Sequence, residues 1–228
     1  MEKQSLALSF GNSLTEEAAG IAGEYAELGL DALVKDGLLK DIPVVSTAVA
    51  VYKIGKSIHE RHHITKLVSF LNEINKGIAD EEKREKYRED FTTNEKFRNQ
   101  ELEYILILTD RYISFDKPQM LAKLYLAYLD GKIKWDEFMQ YAEVLDRLLP
   151  GDIYLDNDRF KFARNKSDSR QRLAALGLLQ GMVPNPKENN GVISFSSTGL
   201  DYELTRFGTV LFKILNPKSL DKWLSDVE

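Results

Sequence analysis

The chain has 228 residues and a mass of 26.1 kDa, with 43% hydrophobic and 29% charged residues, an ordinary composition for one good hydrophobic core or two small ones. It contains no cysteine, which excludes disulfide scaffolds, thiol nucleophiles and cysteine zinc sites. A net charge of −5 argues against wholesale coating of nucleic acid. The first ten residues lack the basic stretch and long apolar run of a signal peptide, so a cytoplasmic location is expected. The charge is unevenly spread. Residues 1–158 carry 20 basic against 29 acidic side chains, whereas residues 159–215 carry nine against four, a basic module on an acidic chain.

Ser13-Leu14-Thr15-Glu16 reads as a capping box and predicts a helix over residues 14–35, with Ser13 as its N-cap. That helix is rich in small residues (Ala18, Ala19, Gly20, Ala22, Gly23, Ala26, Gly29), which suits close approach of a partner helix. After Gly37 and Pro43 comes an apolar run, Ile42 to Tyr52, bounded by Asp41 and Lys53. A membrane span needs about 18–20 such residues, so a buried or interfacial helix is expected. From His63 the spacing of Ile64, Leu67, Val68, Leu71 and Ile74 gives one apolar stripe of an α-helix. Asp80-Glu81-Glu82 opens a short charged helix with its acids at the favourable end.

A further helix holds Phe97, Leu102, Ile105, Leu106 and Leu108, and Asp116 with Pro118 opens the next, carrying Leu121, Leu124, Tyr125 and Tyr128. Asp130-Gly131 turns the chain into an amphipathic helix from Trp135 to Leu149, which Pro150-Gly151 stops. The texture then changes. Alternation of Ile153, Leu155, Phe160 and Phe162 around Asp156-Asn157-Asp158 predicts a hairpin. A helix over 170–179 follows, then a Pro/Asn/Gly-rich loop over 181–190. Val192 to Phe195 and Tyr202 to Leu204 read as two strands joined by Ser197-Thr198-Gly199, before a last helix with Thr205 as N-cap, ended by Asn216-Pro217.

All three histidines lie in His59-Glu60-Arg61-His62-His63, which matches the H-E-x-x-H zinc signature. Two histidines four apart on a helix can share a metal, and Glu60 would activate its water. His59, Glu60 and His63 are therefore candidate metal-site residues. The third ligand would have to be an acid such as Glu82 or Glu85, which stand in a charged helix, and Arg61 departs from the signature. A solvated basic helix junction accounts for the cluster without metal, and no metal or cofactor is expected. Asp130-Gly131 with Glu137 imitates half of a calcium loop, but Leu126 and Tyr128 would occupy its first ligand positions and cannot bind calcium. No Gly-rich phosphate loop follows a strand, and no serine has a placed His–Asp pair, so a non-enzymatic protein with no small-molecule substrate is expected.

The C-terminal module follows one grammar: Arg172-Leu173-Ala174-Ala175-Leu176-Gly177-Leu178-Leu179, a loop, a strand, then Tyr202-Glu203-Leu204-Thr205-Arg206-Phe207-Gly208 with Leu211 and Leu215. It resembles the end of a winged-helix domain, with Leu173, Leu176, Leu179, Leu204, Phe207, Leu211 and Leu215 as core. Arg159, Lys161, Arg164, Lys166, Arg170 and Arg172 form the dense basic cluster and are the candidate residues for binding a nucleic acid or a protein partner. With Ile42–Ile58, residues 66–75, residues 117–129, residues 133–138 and the "RLAALGLL … YELTRFG" ending, the chain resembles the abortive-infection-alpha-like proteins of bacteria and prophages. That resemblance implies a role in phage defence and names no catalytic residue.

The expected fold is mainly α, an N-terminal helical bundle followed by a small winged-helix-like α+β module. The expected segments are a Gly/Ala-rich helical region (1–62), a helical body (63–150), the winged-helix-like module (151–216) and a tail (217–228). The first functional reading is anti-phage defence through a protein partner, a homo-oligomer or the membrane, with residues 14–58 as a conditional effector segment that engages a bilayer on activation. The alternatives are a winged-helix DNA-binding regulator and a zinc metallopeptidase.

Overall fold

The computed structural model describes residues 5–14, 42–52, 57–78, 80–114, 116–156, 159–164, 166–182, 187–189, 192–194 and 201–217. The chain divides into two units, Met1–Asp146 and Arg147–Glu228. The described part is mainly helical with a small antiparallel strand portion. Most of the helix predicted over 14–35 and of the effector segment 14–58 lies outside the described residues, as does the C-terminal tail from 218 onward.

The first unit contains seven described helices: α1 (Leu6–Asn12), α2 (Pro43–Tyr52), α3 (Ile58–Gly77), α4 (Glu81–Thr93), α5 (Glu95–Arg111), α6 (Asp116–Leu129) and α7 (Trp135–Arg147), the last ending at the unit boundary. The apolar stripe of α3 is buried as its spacing predicts, with Ile64, Leu67, Val68, Leu71 and Ile74 all enclosed. Each such side chain contributes about 1.5–3 kcal/mol on leaving water. The helix begins earlier than its stripe. Ser57 accepts the Glu60 N–H and Glu60 accepts the Ser57 N–H, a capping box that starts α3 at Ile58. Asp80 caps α4 by accepting the Lys83 N–H at 2.7 Å. Tyr87 and Phe91 of this charged helix are buried.

The short α1 has no counterpart in the predicted elements. It packs against α2, α4 and α5, and its Phe10 lies with ring centroids 4.9 Å from Phe91 and 6.2 Å from Tyr125. Tyr125 continues to Phe138 at 5.8 Å, and Phe138 stacks on Trp135 at 4.8 Å, so aromatic rings run from the first helix into α7. Polar contacts fix α1 in place: Asn99 Oδ1 accepts the Ala7 N–H at 2.8 Å, and the Ser9 and Thr47 hydroxyls meet at 2.6 Å. Ser13 has a helical backbone at the end of α1 rather than the extended backbone of an N-cap. Its hydroxyl donates to Ser9 O and accepts the Val44 N–H at 3.0 Å, so it satisfies the first turn of α2. The apolar run is indeed a packed helix, with Ile42, Val44, Val45 and Ala48 buried. Among the described residues no helix is long and apolar enough to cross a membrane.

A buried polar network ties α4, α5 and α6. Glu101 is 1% exposed, accepting from the Tyr125 hydroxyl at 3.3 Å, the Tyr128 hydroxyl at 2.5 Å and Arg98 Nη1 at 2.5 Å. Arg98 also reaches Asp90 of α4 at 2.5 Å. Burial and the Glu101 hydrogen bond raise the Tyr128 hydroxyl to about 12. Side chains from α4 fasten the Asp130-Gly131 turn: Asp130 accepts from Tyr87 at 2.5 Å and pairs with Lys83 at 2.7 Å. Burial raises its carboxyl, but the hydrogen bonds from Lys83, Tyr87 and Lys132 outweigh that and hold it low.

The second unit contains β1 (Ile153–Asp156), β2 (Arg159–Phe162), α8 (Ser167–Ala175), β3 (Leu179–Met182), β4 (Lys187–Asn189), β5 (Val192–Ser194), β6 (Asp201–Leu204) and α9 (Arg206–Leu215). The predicted hairpin is present as antiparallel β1–β2, Ile153 facing Phe162 and Asp156 facing Arg159. The two strands expected to pair with each other do not. β5 pairs with β4, and β6 pairs with β3, so the inner ladder nests inside the outer one along the chain. The stretch 181–190, expected as loop, therefore contains the end of β3 and all of β4. Its sequence has no period-two apolar pattern, and cross-strand pairing alone makes it strand.

The helix expected over 170–179 runs instead over Ser167–Ala175. Gly177 stops it with φ +74, a left-handed conformation natural to glycine, and Leu178 and Leu179 turn inward to be buried. Thr205 caps α9 as predicted, accepting the Gly208 N–H at 2.9 Å. A side chain at Gly208 would put its Cβ 2.1 Å from Leu178 O, so the glycine ending the "YELTRFG" pattern lets α9 touch the α8–β3 turn. Of the predicted core, Leu173, Leu179, Leu211 and Leu215 are buried, whereas Leu176, Leu204 and Phe207 are half-buried. Asn216 closes the unit by holding both backbone groups of Phe160, at 2.8 and 3.0 Å.

Candidate functional site

The six cations of the basic cluster do different jobs. Arg172 is committed to structure: its Nη2 lies 2.6 Å and its Nε 3.0 Å from the two carboxyl oxygens of fully buried Asp152. Burial raises the Asp152 carboxyl, but the Arg172 bonds outweigh it and hold the group ionised. Lys161 pairs with Asp156 across the β1–β2 hairpin. Arg170 is half-buried with its guanidinium 5.5 Å from the Tyr202 ring centroid. Arg159, Arg164 and Lys166 are exposed, and neither Arg164 nor Lys166 makes an ion pair with a described carboxylate.

Arg164 and Lys166 stand beside a groove of about 700 Å³. Its floor is Phe162 of β2, the following Ala163, Leu204 of β6 and Phe212 of α9. Phe162 and Phe212 approach with ring centroids 6.1 Å apart. The rim is Tyr154 and Lys161 of the hairpin together with Arg164 and Lys166, and no carboxylate among the described residues lines the groove. The hairpin register explains the arrangement. In β2 the buried Phe160 and Phe162 alternate with exposed Arg159 and Lys161, so apolar and cationic side chains leave the strand on opposite faces. The chain then turns at Ala163 and Arg164, bringing further cations to the edge of the apolar floor. Residue type and spacing showed the cations. They gave no sign of which ones the fold neutralises, because Asp152 reaches Arg172 only through folding.

The residues of the histidine cluster have different surroundings. Glu60, the supposed water activator, is held in the capping box with Ser57. Glu85, one of the acids expected as third ligand, pairs with Arg88 at 2.7 Å, and Glu82 is exposed. Among the described residues no group of three or more His, Asp or Glu side chains is disposed to hold a metal ion. His63 is instead a buried packing residue, 8% exposed, between α3 and α5. Thr109 donates its hydroxyl hydrogen to Leu106 O, so it accepts from His63 Nε2 at 3.3 Å. Asp110 Oδ1 lies 3.5 Å from both His63 Nδ1 and His59 Nε2.

Burial lowers the His63 pKa below 6.5, Lys66 and His59 add to that, and Asp110 opposes it. A histidine that resists protonation in the folded state leaves the unfolded chain binding more protons below pH 6.5, so stability falls as the pH drops through that window. Thermal unfolding of the wild type is expected to lose stability between pH 7.5 and pH 5.5, and His63→Gln is expected to lose less. An identical pH dependence in the variant contradicts the assignment to His63.

Comparison of the chain with known protein families, with curated proteins and with solved structures gives no match.

Proposed function

We propose that this chain is a non-enzymatic bacterial anti-phage protein of the abortive-infection type, acting through a protein partner held by its C-terminal unit. The observation that carries the partner-binding part is the groove of that unit, apolar on its floor and cationic on its rim, with no carboxylate among its described lining residues. The order α8, β3, the nested β4–β5 pair, β6 and α9 supports a winged-helix-like reading of the unit, with the nested ladders as the wing. The defence setting rests on the resemblance of the apolar run, the helical body and the "RLAALGLL … YELTRFG" ending to abortive-infection-alpha-like proteins. The burial of Ile42, Val44, Val45 and Ala48 fits a resting state in which the apolar run is packed on the body.

A DNA-binding regulator is the second reading, favoured by the exposure of Arg159, Arg164 and Lys166. The apolar floor beside Arg164 and Lys166 suits a protein side chain better than a phosphate backbone. Expression of the full chain in a bacterial host challenged with a panel of phages tests the first reading. Fewer plaques than with an empty vector, or growth arrest on infection, is the expected result. A folded, abundant protein that leaves both plaque number and growth unchanged contradicts it.

A further inference from the structure

We propose that the groove of the C-terminal unit takes an acidic, amphipathic segment of a partner protein, with apolar side chains over Phe162, Leu204 and Phe212 and carboxylates against Arg164 and Lys166. This inference rests on the partner-binding reading above and names the chemistry of the partner. The groove volume of about 700 Å³ accommodates several side chains rather than one ion. Its floor supplies aromatic and aliphatic surface from three elements that the fold already holds together, so an occupant meets a prepared surface.

The rim decides the sign of the partner. Lys161 is neutralised by Asp156, but Arg164 and Lys166 have no described carboxylate, and no acid among the described residues lines the groove. A cationic segment would bring like charges together in this cleft, whereas an acidic one meets opposite charge at Arg164 and Lys166. Apolar contact would supply most of the affinity, and the charges would set selectivity and association rate. A DNA duplex would use the same cations and leave Phe162, Leu204 and Phe212 without an apolar counterpart, so the duplex serves as the competing probe.

The test uses the full chain and fluorescence anisotropy with a labelled synthetic peptide bearing Leu and Trp at helical spacing among Glu and Asp. A second peptide has those apolar residues changed to Ser, and a labelled DNA duplex is the third probe. The first peptide is expected to bind, with affinity falling as salt rises. The Ser-substituted peptide and the duplex are expected to bind at least about tenfold more weakly. Arg164→Glu with Lys166→Glu, both exposed positions that leave the floor intact, is expected to weaken the first peptide about tenfold or more.

Binding of the duplex in preference to the peptide overturns the proposal, as does binding of none of the probes or peptide binding that the double charge reversal leaves unchanged. Phage protection by the same protein is scored in parallel. Protection without peptide binding overturns this inference and leaves the defence reading standing. Peptide binding without protection does the reverse.

Discussion

Glu101→Ala is expected to cost the N-terminal unit about 3–5 kcal/mol, because it removes one side of a buried, hydrogen-bonded charge pair. Glu101 is 1% exposed and collects donors from Arg98, Tyr125 and Tyr128, while Arg98 itself is 12% exposed at the side chain. Without Glu101 the guanidinium keeps Asp90 but loses its partner on the inner side, and two tyrosine hydroxyls lose their acceptor. That is a large share of the roughly 5–15 kcal/mol by which a folded domain is stable. A fall in Tm of roughly 10 °C is the expected reading in a thermal scan. Glu101→Leu combined with Arg98→Met removes both charges and should restore a good part of the loss, since well-packed apolar replacements of a buried pair are often tolerated. A single Glu101→Ala variant within about 1 kcal/mol of wild type contradicts the network as the tie between α5 and α6.

Lys66→Met is the second large effect, expected at about 2–4 kcal/mol from the loss of two charged hydrogen bonds. Lys66 is 2% exposed, and its ammonium donates to Asp110 O and Tyr112 O, each at 2.7 Å. These carbonyls stand at the C-terminal end of α5, where the helix leaves its last acceptors unpaired and its dipole favours a cation. Methionine keeps the length of the stem and supplies no donor, so the effect isolates the ammonium. Desolvation lowers the lysine pKa, and the nearby Asp110 carboxylate opposes that shift. Urea unfolding of the variant measures the loss, and a change below about 1 kcal/mol contradicts the capping role.

Legibility in the sequence followed the range of the forces involved. The stripe of α3, the Asp80 cap of α4 and the Thr205 cap of α9 depend on neighbours within one or two helical turns, and residue spacing reveals them. α1 depends on Phe10 packing among Phe91, Phe70 and Tyr125, rings that the chain brings together only on folding. Its seven residues are too few to show a period. Strand pairing in the C-terminal unit failed for a related reason. The apolar content of β6 was visible, but its partner β3 carries Gln180 and Gly181 and shows no alternation.

The same reasoning separates the site residues. A run of cations is legible in any sequence, and so is an H-E-x-x-H pattern, because both are local. What neutralises each cation is not local. Arg172 is spent on Asp152, Lys161 on Asp156, and Glu60 on the Ser57 cap, which leaves Arg164 and Lys166 to define the rim. Glu101 gave no signal at all, since a glutamate among the charged residues of α5 looks like a solvated one until Tyr125 and Tyr128 of the next helix close over it.

The proposed functional surface is the basic-rimmed groove of the C-terminal unit. Efficiency of plating on cells expressing the wild type and the Arg164→Glu/Lys166→Glu variant, at matched protein levels, tests it most directly. Both substitutions lie on exposed residues, so the variant should fold and accumulate normally. Protection by the wild type that is lost in the variant is the predicted result. A variant that protects as well as the wild type would contradict the claim.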